Sequence, residues 1–156
     1  MYGMHSIQAL LDNYCIISIA CAWILAQIIK VFTGYFQQDD FSITKFFCGT
    51  GGMPSAHSAT VMALVVSSAW EYGFASYTFA ISVLLATIVM SDAMGVRLET
   101  GKQAKIINQI IPEIFTGKGD MQANLKELIG HTPFQVMVGA ILGVIVAVVL
   151  KLTVYR

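Results

Sequence analysis

Between Gln135 and Lys151 lie fifteen consecutive residues without one polar side chain. With its flanks the stretch covers 133–154 and matches the roughly twenty apolar residues that a helix needs to cross a bilayer. It shows no alternation of apolar and polar positions, which excludes a barrel strand, so backbone placed in hydrocarbon has to be helical. Three further segments compete for the same role. The first spans 14–32 and carries Lys30 near its end, where the long stem can bring the ammonium to interfacial water. The second starts near Ser55 or His57 and ends near Trp70. The third covers 77–96 and holds Asp92 toward its far end. About fifteen residues is short for a crossing; either the bilayer thins around the second segment or its polar start lies below the membrane surface. Glu71-Tyr72-Gly73 makes a tight link from it to the third.

Composition supports the bilayer as solvent. Charged residues are 12% of the 156 positions and hydrophobic ones 56%, against roughly 25% charged in soluble domains. Mean hydropathy is +0.72, and nine Lys and Arg balance nine Asp and Glu. A disordered tail, a basic nucleic-acid binder and an ordinary cytosolic globule are excluded on this ground. The expected fold is all-α: one integral membrane bundle over 1–156 with about four transmembrane helices. The N-terminus lacks the Lys or Arg that would open a secretory signal, so no cleavable leader is expected. Residues 1–13 read as a short amphipathic lead-in. Cys15, Cys21 and Cys48 show neither metal-ligand spacing nor a disulfide framework and read as small apolar fillers.

Two stretches separate the helices. Residues 33–53 hold Asp39, Asp40, Lys45 and the glycines Gly49, Gly51 and Gly52. Residues 97–131 are too long for a turn. Within them Ala104, Ile107, Ile110, Ile111 and Ile114 fall at helical spacing, giving an amphipathic helix that Pro112 bends or ends. A second short helix follows Asp120 and runs through Leu125 to Ile129. Such helices lie on the membrane surface or fold against the bundle.

Four crossings decide which polar residues meet. The end of the first helix, the start of the second, the end of the third and the start of the fourth all face one side. Lys30, the run from Gly51 to His57, Asp92 with Arg97, and the run from Gly130 to Pro133 therefore converge there. That side also carries seven of the nine cations, and the positive-inside rule places it in the cytoplasm. The opposite side receives Glu71, Lys151 and Arg156.

Thr132 fits an N-cap, Pro133 the first helical position, and Gln135 completes a capping box. His131 thus precedes a helix whose positive dipole end attracts anions. Pro54 and Ser55 open the second helix in the same way, with His57 in its first turn. Imidazoles ionise near neutral pH, so one can attack a phosphorus while the other protonates the departing oxygen. Backbone N–H groups from Gly51 to Ser55, with Arg97 and a nearby lysine, are expected to hold the phosphate oxygens. The glycine pair, Gly51 and Gly52, lets the backbone approach closely. The structural alternatives are an interfacial histidine, cations anchoring lipid headgroups, and Gly139 and Gly143 packing helices within the bundle. Asp92 inside an apolar run is a functional candidate, with Arg97 or a histidine as its partner.

The strings Gly51-Gly52-Met53-Pro54-Ser55-Ala56-His57-Ser58, Asp92-Ala93-Met94-Gly95-Val96-Arg97, Gly101-Lys102-Gln103-Ala104 and the run from Leu125 to Pro133 resemble the divergent branch of the type 2 phosphatidic acid phosphatase superfamily. The resemblance covers 26–143. It implies a metal-independent membrane phosphatase that passes through a phosphohistidine and needs no cofactor. The superfamily pattern is K-x6-R-P, P-S-G-H and S-R-x5-H-x3-D. By resemblance Lys30 and Ser55 are phosphate ligands, His57 is the leaving-group acid and His131 the nucleophile. The chain departs from the pattern at several places. Gln37 and Gln38 replace the first Arg-Pro, Ala56 the Gly, Asn124-Leu125 the Ser-Arg, and Gln135 the Asp that would orient the nucleophile. Arg97, Lys102 or Lys126 are then candidates for the missing clamp, and Asp92 for fixing the His131 tautomer.

The implied activity is hydrolysis of a lipid phosphomonoester or pyrophosphate, such as phosphatidylglycerophosphate, phosphatidate or a prenyl pyrophosphate. Its partners are that lipid and the bilayer, with a homodimer as a further expectation and no nucleic acid. Two other classes stand beside it: a catalytically inactive membrane protein that binds anionic lipid, and a small transporter subunit using Asp92 as a relay.

Overall fold

The computed structural model describes residues 8–36, 53–114, 125 and 130–156, and every regular element among them is helical. A short helical stretch at 8–11 leads to α1 (Tyr14–Phe36), α2 (Ala56–Tyr72), α3 (Tyr77–Met94), α4 (Val96–Ile114) and α5 (Pro133–Thr153). Of the stretches between helices, residues 37–52 and the helix expected after Asp120 lie outside the described residues, apart from Leu125.

Hydrogen bonds between helices fix which ends meet. The Tyr14 hydroxyl donates to the Ala147 carbonyl at 2.8 Å, joining the start of α1 to the end of α5. Thr33 at the other end of α1 donates to the Met53 carbonyl at 2.9 Å, just before α2. The Ser68 and Ser82 hydroxyls meet at 2.8 Å, joining the far half of α2 to the start of α3. The His131 N–H donates to the Ala93 carbonyl at 3.1 Å, joining the end of α3 to the entry of α5. Helices α1, α2, α3 and α5 therefore alternate in direction, and the polar helix ends gather on one side.

Among the described residues three helical stretches are long and apolar enough to cross a membrane: Tyr14–Thr33, Tyr77–Ile111 and Pro133–Thr153. Helix α2 is not among them, and its place in the bundle explains why. It packs against α1, α3 and α5, and seven of its 17 residues are buried, against three in α3. Its neighbours there are protein rather than lipid, so small and polar residues serve it better than large apolar ones. Ser58, Ser67 and Ser68 are fully buried, and Ser67 and Ser68 satisfy their hydroxyls on carbonyls three residues back. At 1.5 Å per residue α2 is about 25 Å long, slightly under the 30 Å hydrocarbon core.

Small residues set the helix spacing, as expected where dispersion rather than dehydration drives association. Ala22 and Ala26 of α1 pack with Ala56, Ala59 and Ala63 of α2 and Ala147 of α5. A Cβ on Gly139 would strike the Ser55 carbonyl, and one on Gly143 the Ala59 carbonyl. The glycine pair of α5 thus packs inside the bundle. On α5 the buried stripe is Val136, Gly139, Gly143, Val146 and Ala147, while Met137, Ile141, Ile145 and Val149 are exposed; the two sets follow the 3.6-residue period. Cys15 is buried, Cys21 half-buried, and both are free thiols; Cys48 lies outside the described residues.

Helix α4 starts earlier than the residue spacing suggests. Only Gly95 separates it from α3, and Pro112 lies within it rather than at its end. Ile106, Ile107 and Ile110 are exposed along it, consistent with an amphipathic surface helix.

Candidate functional site

Each helix start that carries a histidine is built by local rules. At α2, Ser55 is the N-cap: its hydroxyl accepts from the Ser58 hydroxyl at 2.9 Å and from the Ser58 N–H at 3.4 Å. The Ser55 N–H donates to the Gln135 carbonyl at 3.2 Å, which ties the two histidine-bearing helix starts together. At α5, the Thr132 hydroxyl accepts from the Gln135 N–H at 3.3 Å, and the Gln135 amide oxygen accepts from the Thr132 N–H at 2.9 Å. This is the capping box that Thr132 and Gln135 predict.

His131 is 7% exposed and His57 open to the outside. The Gln135 amide oxygen lies 3.4 Å from His131 Nδ1. An amide oxygen only accepts, so this contact puts the proton on Nδ1 and leaves the Nε2 lone pair free. Gly130 allows the approach: a Cβ there would collide with the backbone of Arg97 and Leu98 at the start of α4. Burial holds the His131 imidazole below its ordinary ionisation range. The hydrogen bond to Gln135 opposes that shift, and the charges of Lys30, His57 and Arg97 add to it. The charges of Arg97, Lys30 and Asp92 act on His57 as well. Lys30, His57, Asp92, Arg97 and His131 therefore form one electrostatic cluster, as the count of crossings requires.

Several expected ligands are placed otherwise. Ser55 is fully buried, its hydroxyl oxygen accepts from Ser58 and its N–H donates to Gln135, so in this structure it caps α2 and ties it to α5. The N–H groups left without intrahelical acceptors by the geometry of the α2 start are those of Ala56 and His57. Asp92 receives the Arg97 Nε–H at 2.5 Å, both half-exposed. Gln135 rather than Asp92 thus faces the His131 ring, and Arg97 comes to the site as part of an ion pair. Lys102 pairs with Glu99 at 2.6 Å on the exposed face of α4 and is not brought to the histidines. Gly51, Gly52 and Lys126 lie outside the described residues. Leu125, which stands where the pattern has an arginine, is held by its backbone on Asn108, donating at 3.1 Å and accepting at 2.8 Å. Asn108 is eleven residues from Arg97, about 16 Å along α4. The residues missed in the sequence are Gln135 as the partner of His131 and Gly130 as its spacer. The four-residue step from His131 to Gln135 across a helix start was the available signal.

A helical bundle that crosses the bilayer several times, with its polar helix ends on one side, defines a multi-pass membrane protein. The sequence comparisons narrow this: the profile of the Divergent PAP2 family matches residues 11–146, and the chain belongs to that family. It is similar to a Bacillus subtilis (strain 168) protein named "Uncharacterized membrane protein YuiD", 38% identical over 154 residues that cover 90% of this chain and 96% of that one. No solved structure matches the chain at a significant level.

Proposed function

We propose that the protein is a metal-independent lipid phosphate phosphatase whose nucleophile is His131. The observation that carries the reading is the pairing of a buried, Gln135-oriented His131 with an open His57 on an adjoining helix start, in reach of Lys30 and Arg97. In this reading the Nε2 lone pair of His131 attacks the phosphorus of a lipid phosphomonoester or pyrophosphate. The bond to the leaving oxygen breaks, and His57 gives that oxygen its proton. His57 then takes a proton from water, whose oxygen attacks the phosphohistidine and frees inorganic phosphate. The N–H groups of Ala56 and His57, with Lys30, bear the charge on the non-bridging oxygens. In this reading the site faces the cytoplasm, as the cation bias favours, and there phosphatidylglycerophosphate and phosphatidate fit better than a prenyl pyrophosphate.

The test is phosphate release by purified protein in EDTA from these three lipids. His57→Ala and His131→Ala are each expected to lose at least about 10²-fold. Full activity in His131→Ala would remove the nucleophile assignment. A second reading, binding of anionic lipid without turnover, is favoured by the commitment of Arg97 to Asp92 and of Ser55 to capping. It predicts no release from any of the three by folded wild-type protein.

A further inference from the structure

Helix α2 meets two of its neighbours closely and the third only in part. Against α5 the fit is sealed by Gly139 and Gly143, and against α1 by Ala22 and Ala26. Against α3 the helices touch where Ser68 bonds Ser82. Beyond that point a groove of about 370 Å³ opens, lined by Met62 and Val65 of α2 and, on α3, Val83, Thr87, Met90 and Met94 among others. The volume lies in the range of roughly 300–1,000 Å³ typical of small-ligand sites.

The groove runs along α3 from Val83 to Met94. Val83 adjoins the Ser68–Ser82 bond. At the other limit stands Met94, next in the chain to Ala93, whose carbonyl receives the His131 N–H. Eleven residues of α3 separate Val83 from Met94, which is about 16 Å of helix. Half of a 30 Å hydrocarbon core is about 15 Å. The groove thus begins beside the carbonyl that holds the His131 backbone and runs about half the thickness of the hydrocarbon core, the depth of one lipid tail in one leaflet. Three of its lining residues are methionines, unbranched side chains that adapt to a chain of changing shape.

We propose that the groove between α2 and α3 is the acyl-chain subsite of the phosphate site and takes one hydrocarbon tail of a lipid phosphate from the same leaflet. The proposal rests on the phosphatase reading for the placement of the headgroup. A tail moving from lipid into the groove stays in an apolar medium and gains little from dehydration. Its contribution is to hold the phosphorus in register with His131, and selectivity for chain length follows from that.

Two measurements test it. The full chain in phosphatidylcholine vesicles is irradiated with trace phosphatidate bearing a diazirine at the end of one acyl chain, and adducts are mapped by mass spectrometry. Adducts are expected at Val83 and Thr87, displaced by excess phosphatidate and not by more phosphatidylcholine. Equal labelling of the outward residues Ile81, Leu84 and Ile88, or no displacement, overturns the proposal. This readout needs no turnover: displaced groove labelling in a protein that releases no phosphate would sink the phosphatase reading and leave the subsite standing. Phosphate release with labelling spread over the outward face would do the reverse. In an active protein, Val83→Trp is expected to lower the ratio of kcat/KM for sixteen-carbon over six-carbon phosphatidate by about tenfold. Leu84→Trp, 55% exposed in the native chain, is expected to keep the native ratio; the same ratio in both variants overturns the assignment.

Discussion

His131 is a buried base surrounded by positive charge, and its protonation is the property most open to measurement. Burial, Lys30, His57 and Arg97 all favour the neutral ring, and only the Gln135 amide oxygen favours the cation. The titration midpoint of the labelled ring in detergent is therefore expected below the ordinary value near 6.5. Gln135→Leu is expected to lower it further and Lys30→Met to raise it; shifts of the same sign in both variants would contradict the electrostatic account. Because the folded value is depressed, this histidine supports the fold above about pH 6.5, and that support is lost as pH falls through the folded midpoint. The acid limb of turnover is expected at the same midpoint. Gly130 belongs to the same scale. Alanine there meets the rigid backbone of Arg97 and Leu98, so Gly130→Ala is expected to displace His131 and cut phosphate release by about 10²-fold with helical circular dichroism retained.

Among the elements, α2 and α5 form the pair on which the site depends, because both histidine-bearing starts hang on their contact. A methyl group on Gly139 or Gly143 runs into a carbonyl of α2, and neither backbone can yield without moving its whole helix. Gly139→Ala and Gly143→Ala are each expected to cost about 1–3 kcal/mol, read as a fall in the detergent unfolding midpoint; an unchanged midpoint would mean the helices sit further apart. Removing the α5 cap with Thr132→Val is expected to cost about 1 kcal/mol. By contrast the Ser68–Ser82 bond between α2 and α3 is expected to be worth only about 0.6 kcal/mol, the average for hydrogen bonds between membrane helices.

For the whole molecule the open quantity is its orientation across the bilayer. Among the described residues Lys30, Arg97, Lys102 and Lys105 lie on the histidine side and Lys151 and Arg156 on the other, and the positive-inside rule favours the cytoplasm for the larger number. In a background without native cysteines, a thiol at Lys105 is expected to resist an impermeant maleimide in intact cells, while one at Arg156 reacts. Both positions are exposed, so the opposite pattern would place the phosphate site outside and favour a prenyl pyrophosphate from that face. The far side carries its own closure. Lys151 lies 3.6 Å from Glu71 and 5.1 Å from the centre of the Tyr14 ring. The Tyr155 hydroxyl donates to the Leu11 carbonyl at 2.7 Å. These contacts join both ends of the described chain.

Much of this was legible in the residues because the bilayer imposes few choices. An uninterrupted apolar run has to be a helix, and the number of crossings alone decides that Lys30, His57, Asp92, Arg97 and His131 share a side. The capping box of Thr132 and Gln135 and the Ser55 cap were readable because caps are made within four residues. Helix α2 was harder to read as a crossing, since a helix solvated by other helices is released from the apolar composition that lipid demands. The partner of each polar group was legible only in part, Arg97 being one of the two expected for Asp92. Ser55 became a cap and a tie to α5, Asp92 took Arg97, Lys102 took Glu99, and Gln135 took His131. Only the tie of Ser55 to Gln135 joins helices far apart in the chain, where packed backbones brought close by Gly139 and Gly143 set the distance; the other three pairs lie three to five residues apart, a range at which each polar group meets more than one neighbour. The groove beside α3 is likewise a matter of packing: small residues draw α1 and α5 onto α2, whereas α3 is bonded to α2 at Ser68–Ser82 and sets Met90 and Met94 beside the opening.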